Sequence, residues 1–128
     1  MQLRVRYSPI AQGQFAELKE AKPGSARATV YKGFKHMIEK VVSESQLALL
    51  PQHRLSADLS GILRLKKGRM RLFFIASEAK QAATILMIGN SLRKDGDRDD
   101  PYEEIKRYLR RGYFDACFEE LGLAKPQV

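Results

Sequence analysis

The stretch Gly61–Phe74 reads GILRLKKGRMRLFF. It sets five cations, Arg64, Lys66, Lys67, Arg69 and Arg71, within eight residues and alternates apolar residues with them. Alternation at a period of two marks a strand with one buried face. Gly68 divides the stretch, so it reads as a hairpin. A two-residue turn at Lys67-Gly68 would let glycine supply the positive φ that so tight a turn needs. In that register Lys66 faces Arg69, Leu65 faces Met70, Arg64 faces Arg71 and Leu63 faces Leu72. One face then holds Leu63, Leu65, Met70 and Leu72, and the other Arg64, Lys66, Arg69 and Arg71. Like charges directly opposite each other destabilise a sheet by roughly some tenths of a kcal/mol per pair. An anion seated between them removes that cost. Phosphate suits, because arginine binds it through two parallel hydrogen bonds. The plain alternative is a solvated face whose Lys and Arg block edge-to-edge aggregation.

The neighbouring segments supply the rest of a sheet and its helices. Gly61–Lys67, Arg69–Ser77 and Ala82–Gly89 read as three strands, with SEAKQ as the turn between the last two. Connections this short favour antiparallel neighbours. Upstream, QLRVRY alternates Leu3, Val5 and Tyr7 against Arg4 and Arg6 and reads as a short first strand. Ser8 is an N-cap and Pro9 a first helical residue for the helix that follows. The break at KPG separates it from a longer helix over Ser25 to about Ser43. There Val30, Phe34, Met37, Ile38 and Val41 recur at core-facing spacing. LALLPQHRLSADLSG reads as a loop, with one helical turn before Pro51. Downstream, the polar GNSLRKDGDRDD leads into one or two helices that break at Gly112. Strand, two helices, a three-strand meander and a C-terminal helix or helices make an α+β fold. The expectation is a single domain over residues 1–128.

Composition narrows the partners. The chain is 44% hydrophobic and 30% charged, with a net charge of +8. Such an excess bears on what the protein binds rather than on how it folds. RNA, DNA, an acidic protein or an anionic membrane would each neutralise it. The single cysteine, Cys117, excludes an internal disulfide and fits a reducing compartment. Neither a signal-peptide core nor an apolar run long enough to span a bilayer occurs, so a cytoplasmic location is expected.

Other constellations favour structural roles. DGDRDDPYEE resembles a calcium loop only briefly, because the positions that need glycine and glutamate hold Asp100 and Lys106. Asp100 reads better as a helix cap, with Pro101 behind it and Glu103 completing a capping box. His36 and His53 have no metal-ligand spacing. His36 reads as a helix residue, and His53 lies in a loop beside Arg54. Cys117 sits among Phe114, Phe118 and Leu121 as a buried thiol. Tyr102, Lys106 and Arg110 share one helical side by four-residue spacing. They would line the anion-binding face if that helix packs beside the hairpin.

GRMRLFFIAS, ILMIGN and NSLRKDGDRDDPYEEIKRYLRRG together resemble the C-terminal half of YhaV-type toxins, a branch of the RelE/ParE superfamily. The resemblance is carried by Gly61 to Gly112; the N-terminal half matches in helical layout. It implies a RelE-like fold and an endoribonuclease that needs no metal or other cofactor and is held silent by an antitoxin. In that chemistry the ribose 2′-OH attacks the adjacent phosphate of mRNA and leaves a 2′,3′-cyclic phosphate and a 5′-OH. It calls for a base at the 2′-OH, cations about the phosphorane and an acid at the leaving oxygen. By position the resemblance assigns Arg64 and Lys66 to the basic strand and Arg71 to a phosphate clamp. Arg93 becomes a charge stabiliser or acid, and Tyr102 stacks a base or orients the 2′-OH. Lys67, Arg69, Lys94 and Lys106 extend the RNA-binding surface. The chain departs from the family at Ser91, where many relatives carry a basic residue. The general base stays open among Lys66, Lys67 and His53.

The resemblance also implies partners: mRNA, on or off the ribosome, and a cognate antitoxin of the PrlF type. Other readings of the same face are a ParE-like gyrase inhibitor, a non-catalytic RNA- or ribosome-binding module, and an inactive relative that docks an acidic antitoxin.

Overall fold

The computed structural model describes residues 3–44, 51–90 and 100–128, with the side chains of Val41 and Pro51 outside that set. Four strands form one sheet: β1 (Arg4–Tyr7), β2 (Leu63–Lys67), β3 (Met70–Ser77) and β4 (Ala82–Asn90), in the order β1-β4-β3-β2. The meander β2-β3-β4 is antiparallel, as its short connections require. Nothing local in the sequence assigns β1 a neighbour; it lies parallel to β4, with Tyr7 beside Ile85. Past Tyr7 the chain leaves the sheet, and side chains take over the exposed edge of β4. Ser8 Oγ donates to the Leu86 carbonyl. The Gln14 amide donates to the Ile88 carbonyl at 2.8 Å and accepts from its N–H at 2.9 Å.

Helices α1 (Pro9–Lys19) and α2 (Ala26–Met37) cover one face of the sheet; α3 (Pro101–Arg110) and α4 (Asp115–Leu121) cover the other. The caps read from the sequence at Ser8 and Asp100 are in place, and Ser25, read only as the start of its helix, caps the second. Ser8, Ser25 and Asp100 each accept a backbone N–H of the first helical turn. Gly112, at φ +77°, separates α3 from α4. The long second helix does not run as α-helix to Ser43. It ends at Met37 and continues as a π-helical turn over Ile38–Val42. Among the described side chains of this stretch, Phe34, Met37, Ile38 and Val42 are buried. The helical turn expected before Pro51 lies outside the described residues; Pro51–His53 form a short 3-10 turn.

Two apolar cores result. Leu63, Leu65, Leu72, Phe74 and Ile85 meet α1 and α2. Ile62, Phe73, Ile75, Leu86 and Met87 meet Ile105, Leu109, Phe114 and Phe118 of α3 and α4. Covered on both faces, β4 reads as an almost continuous apolar run. An irregularity in the ladder after Phe73 skips Leu86, so Leu86 and Met87 enter the same core. This core stops short of the hairpin tip, and there the cations of β2 and β3 occupy the face. Among the described residues no helix is long and apolar enough to cross a membrane.

Candidate functional site

The hairpin turns one residue later than the alternation suggested. Its central residues are Gly68 and Arg69, and Lys67 pairs with Met70. Gly68 has φ +58°, and no positive φ falls on Arg69. A turn at Lys67-Gly68 of the kind favoured in hairpins would have placed positive φ on a lysine or wasted the glycine. Starting the turn at Gly68 gives the left-handed position to the one residue suited to it. Sliding a turn by one residue moves every cross-strand partner by two, so the faces survive and the partners change. Lys66 faces Arg71 rather than Arg69, and Arg64 faces Phe73 rather than Arg71. Only one like-charge pair therefore lies directly opposite, and Arg69 sits in the turn.

Arg64 is half-buried, and its Nη1 donates to the Tyr102 hydroxyl at 2.9 Å. Phe73, across the ladder from Arg64, meets the Tyr102 ring edge-on, with centroids 5.3 Å apart and planes at 88°. Arg64, Phe73 and Tyr102 thus close a three-sided contact between β2, β3 and α3. The start of α3 is fixed in turn by Asp100, whose Oδ1 accepts from the Tyr102 N–H at 3.1 Å. Pro101 packs against Gly89 so closely that a Cβ there would stand 2.6 Å from the proline Cβ. Gly89 itself lies opposite Arg71. Three strands and one capped helix end therefore hold the site together.

Arg71 folds back on its own turn, with Nη1 donating to the Gly68 carbonyl at 2.7 Å and the Met70 carbonyl at 2.9 Å. Within the described residues, none of Arg64, Lys66, Lys67, Arg69 and Arg71 forms an ion pair. Three buried side-chain polar atoms of the described residues have no hydrogen-bond partner, and two of them are Nε of Arg64 and Nε of Arg71. Buried donors are rarely left so. On this face the backbone positions of Arg64 and Lys66 are spaced roughly 7 Å apart along β2, with that of Arg71 roughly 5 Å across from Lys66. Three cationic side chains rooted this close together concentrate the positive charge that a phosphate group needs.

His53 joins this group. Arg54 forms an antiparallel bridge with Leu63, and the Leu55 N–H donates to the Ile62 carbonyl at 3.0 Å. Burial, and then the charge of Arg64, hold the His53 imidazole below the usual histidine range. The sequence offered His53 only as one open possibility, since nothing in the loop composition shows that it returns to β2.

Other expected residues divide. Lys67 lies on the opposite face from Arg64 and Lys66, by the alternation of β2, and is exposed, as is Arg69. Lys106 lies within 3.5 Å of Glu103 and 3.9 Å of Asp58, so its charge is partly matched inside the fold. Asp58 was not visible as its partner because it comes from the distant loop before β2. Arg110 is exposed at the far end of α3. Arg93 and Lys94, with Ser91, lie outside the described residues.

No protein-family model matches the chain, and no curated protein matches it. Solved structures do. The toxin–antitoxin complex RelBE2 of Mycobacterium tuberculosis contains a chain similar to this one at 16% identity, covering 70% of this chain and 99% of that one, with a TM-score of 0.52. The isolated RelE toxin of E. coli is similar at 14% identity, covering 82% of this chain and 97% of that one, with a TM-score of 0.47. The fold of the chain is RelE-like.

Proposed function

We propose that the chain is the toxin of a type II toxin–antitoxin system, one domain over residues 1–128, and a metal-independent endoribonuclease of the YhaV type. Arg64, Lys66 and Arg71 bind the scissile phosphate of mRNA and stabilise the charge that builds on it as the 2′-oxygen attacks. Tyr102, held by Arg64 and set edge-on against Phe73, orients the ribose or its base. Arg93 stabilises the leaving oxygen or protonates it. Lys67, Arg69, Lys94 and Lys106 contribute to holding the RNA backbone.

The observation that carries this reading is the pair of orphaned donors. Arg64, assigned by strand position, and Arg71, assigned by the motif, are also residues whose buried Nε atoms lack partners among the described residues. A phosphate ester brings the acceptor oxygens they want. The net charge of +8 and the RelE-like fold agree with it. A site of this kind is silenced by acidic side chains, so the cognate antitoxin, PrlF-like by resemblance, is expected to present carboxylates to Arg64 and Arg71.

The test is to incubate the purified protein with end-labelled RNA in excess EDTA, with and without translating ribosomes, and to map the ends. Fragments ending in 2′,3′-cyclic phosphate support the reading, and the lane in which they arise tells free mRNA from ribosome-bound mRNA as substrate. Intact RNA in both lanes, from protein that arrests growth, overturns it in favour of gyrase inhibition or binding without cleavage.

A further inference from the structure

We propose that His53 is the general base of this site, the group that accepts the 2′-OH proton. The inference rests on the nuclease reading and names a residue which that reading leaves unassigned.

The geometry comes from strand pairing. Arg54 opposite Leu63, in antiparallel sense, brings His53 toward Arg64 one step further along. Arg64, Phe73 and Met87 form one row across the sheet through the two ladders. His53, the last residue of the 3-10 turn, stands at the β2 end of that row, close enough for the Arg64 charge to act on its imidazole. Tyr102 stands over the middle of that row, with its hydroxyl on Arg64 and its ring on Phe73. The neighbouring row on the same face begins with Lys66 and Arg71. A phosphate gripped between the two rows would have His53 at one side and the cations around the rest.

Chemistry separates His53 from the lysines. A lysine carrying its proton has three donors and no lone pair, so it cannot take a proton until it has lost one. A neutral imidazole has a free nitrogen. His53 is half-buried rather than exposed, in contrast to Lys66 and Lys67. Among the described residues, the charged group that acts on it is Arg64 from β2, itself bonded to Tyr102 of α3, and Arg54 is its neighbour in its own segment. Burial and the Arg64 charge both favour the neutral ring, so it enters the reaction with its lone pair available.

The step balances without a further reactant. As the O2′–P bond forms, the 2′-OH proton passes to the imidazole nitrogen. As the P–O5′ bond breaks, the 5′-oxygen leaves and takes a proton from water. The imidazolium then returns its proton to the hydroxide so formed.

The experiment is the pH dependence of RNA cleavage in EDTA by the full chain, compared with His53→Gln and His53→Ala. The parent rate is expected to rise with pH and level off, with its midpoint below the ordinary histidine range. His53→Gln should lose about a hundredfold or more in rate, while binding an uncleavable 2′-deoxy RNA as the parent does. Added imidazole should restore part of the activity of His53→Ala. If both the parent and a folded His53→Gln cleave at equal rates with the same profile, the inference fails and the nuclease reading stands. If the parent leaves RNA intact, both fail. Should the variants not fold, the parent profile alone decides, and a rate flat across the histidine range overturns the assignment.

Discussion

Arg64 and Tyr102 tie the basic edge strand to the first turn of α3 through one hydrogen bond of 2.9 Å, with the Phe73 ring beneath it. Tyr102→Phe removes the acceptor and keeps the ring. Stability should fall by about 1 kcal/mol, the usual net value of such a bond. RNA cleavage should fall by about tenfold or more, because Arg64 loses its fixed orientation. Thermal melting and cleavage rate, both unchanged in this variant, would show that the bond matters to neither.

Arg71→Ala tests the phosphate grip. The native Arg71 spends part of its guanidinium on turn carbonyls, yet it faces Lys66. Removing it relieves a like-charge pair worth roughly some tenths of a kcal/mol, so the protein should remain folded. RNA affinity should drop, and the slope of log affinity against log salt should shrink by roughly one unit. Growth arrest should disappear. A folded Arg71→Ala protein as toxic as the parent would remove Arg71 from the site.

Gly89→Ala tests how α3 is seated. The new methyl would stand 2.6 Å from Pro101 Cβ, so either β4 or the first turn of α3 must shift. A loss of about 1–3 kcal/mol is expected from such overpacking. Tyr102 follows Pro101 directly, so NMR shifts should spread to Arg64 and Phe73. Shifts confined to residues next to Gly89 would mean that the helix end adapts without moving the site.

His53 also links stability to pH. Its folded pKa is lowered, so the unfolded chain binds the proton more readily. The penalty is absent above the unfolded histidine value and grows as pH falls through it toward the folded value. Melting temperature should therefore decline on acidification from about pH 6.5 downward, and His53→Gln should flatten that part of the decline. Parallel curves for parent and variant would show that the imidazole is not held neutral by the fold.

The local grammar of the chain was largely legible. Ser8-Pro9 and Asp100-Pro101 announce two helix starts, because a cap side chain answers to backbone groups only two or three residues away. Alternation marks β1 and β2, whereas β4 is buried on both faces and runs apolar almost throughout. The alternation places Arg64, Lys66 and Arg71 on one face whichever of the two turns closes the hairpin, since a one-residue shift of the turn preserves parity. The π-helical turn at Ile38–Val42 is not legible in a three- and four-residue apolar spacing, which an unbroken α-helix would show equally well; Ile38 and Val42 both enter the core.

By itself, then, the sequence determined which segments are helix and strand, which side of the hairpin carries charge, and that the protein is cationic and α+β. Those properties follow from the period of the side chains and from the chemistry of adjacent residues. Only the tertiary structure decided that Arg64 faces Phe73, that Tyr102 bonds Arg64, that Lys106 meets Asp58 and that His53 comes to rest beside Arg64. Each of these relations joins residues from different segments. They exist because the hairpin closes at the glycine that accepts positive φ, the loop before β2 doubles back on it, and α3 is pinned against Gly89. A row of side chains drawn from β2, β3, α3 and a loop is set by how the layers pack, which no single stretch of the chain encodes.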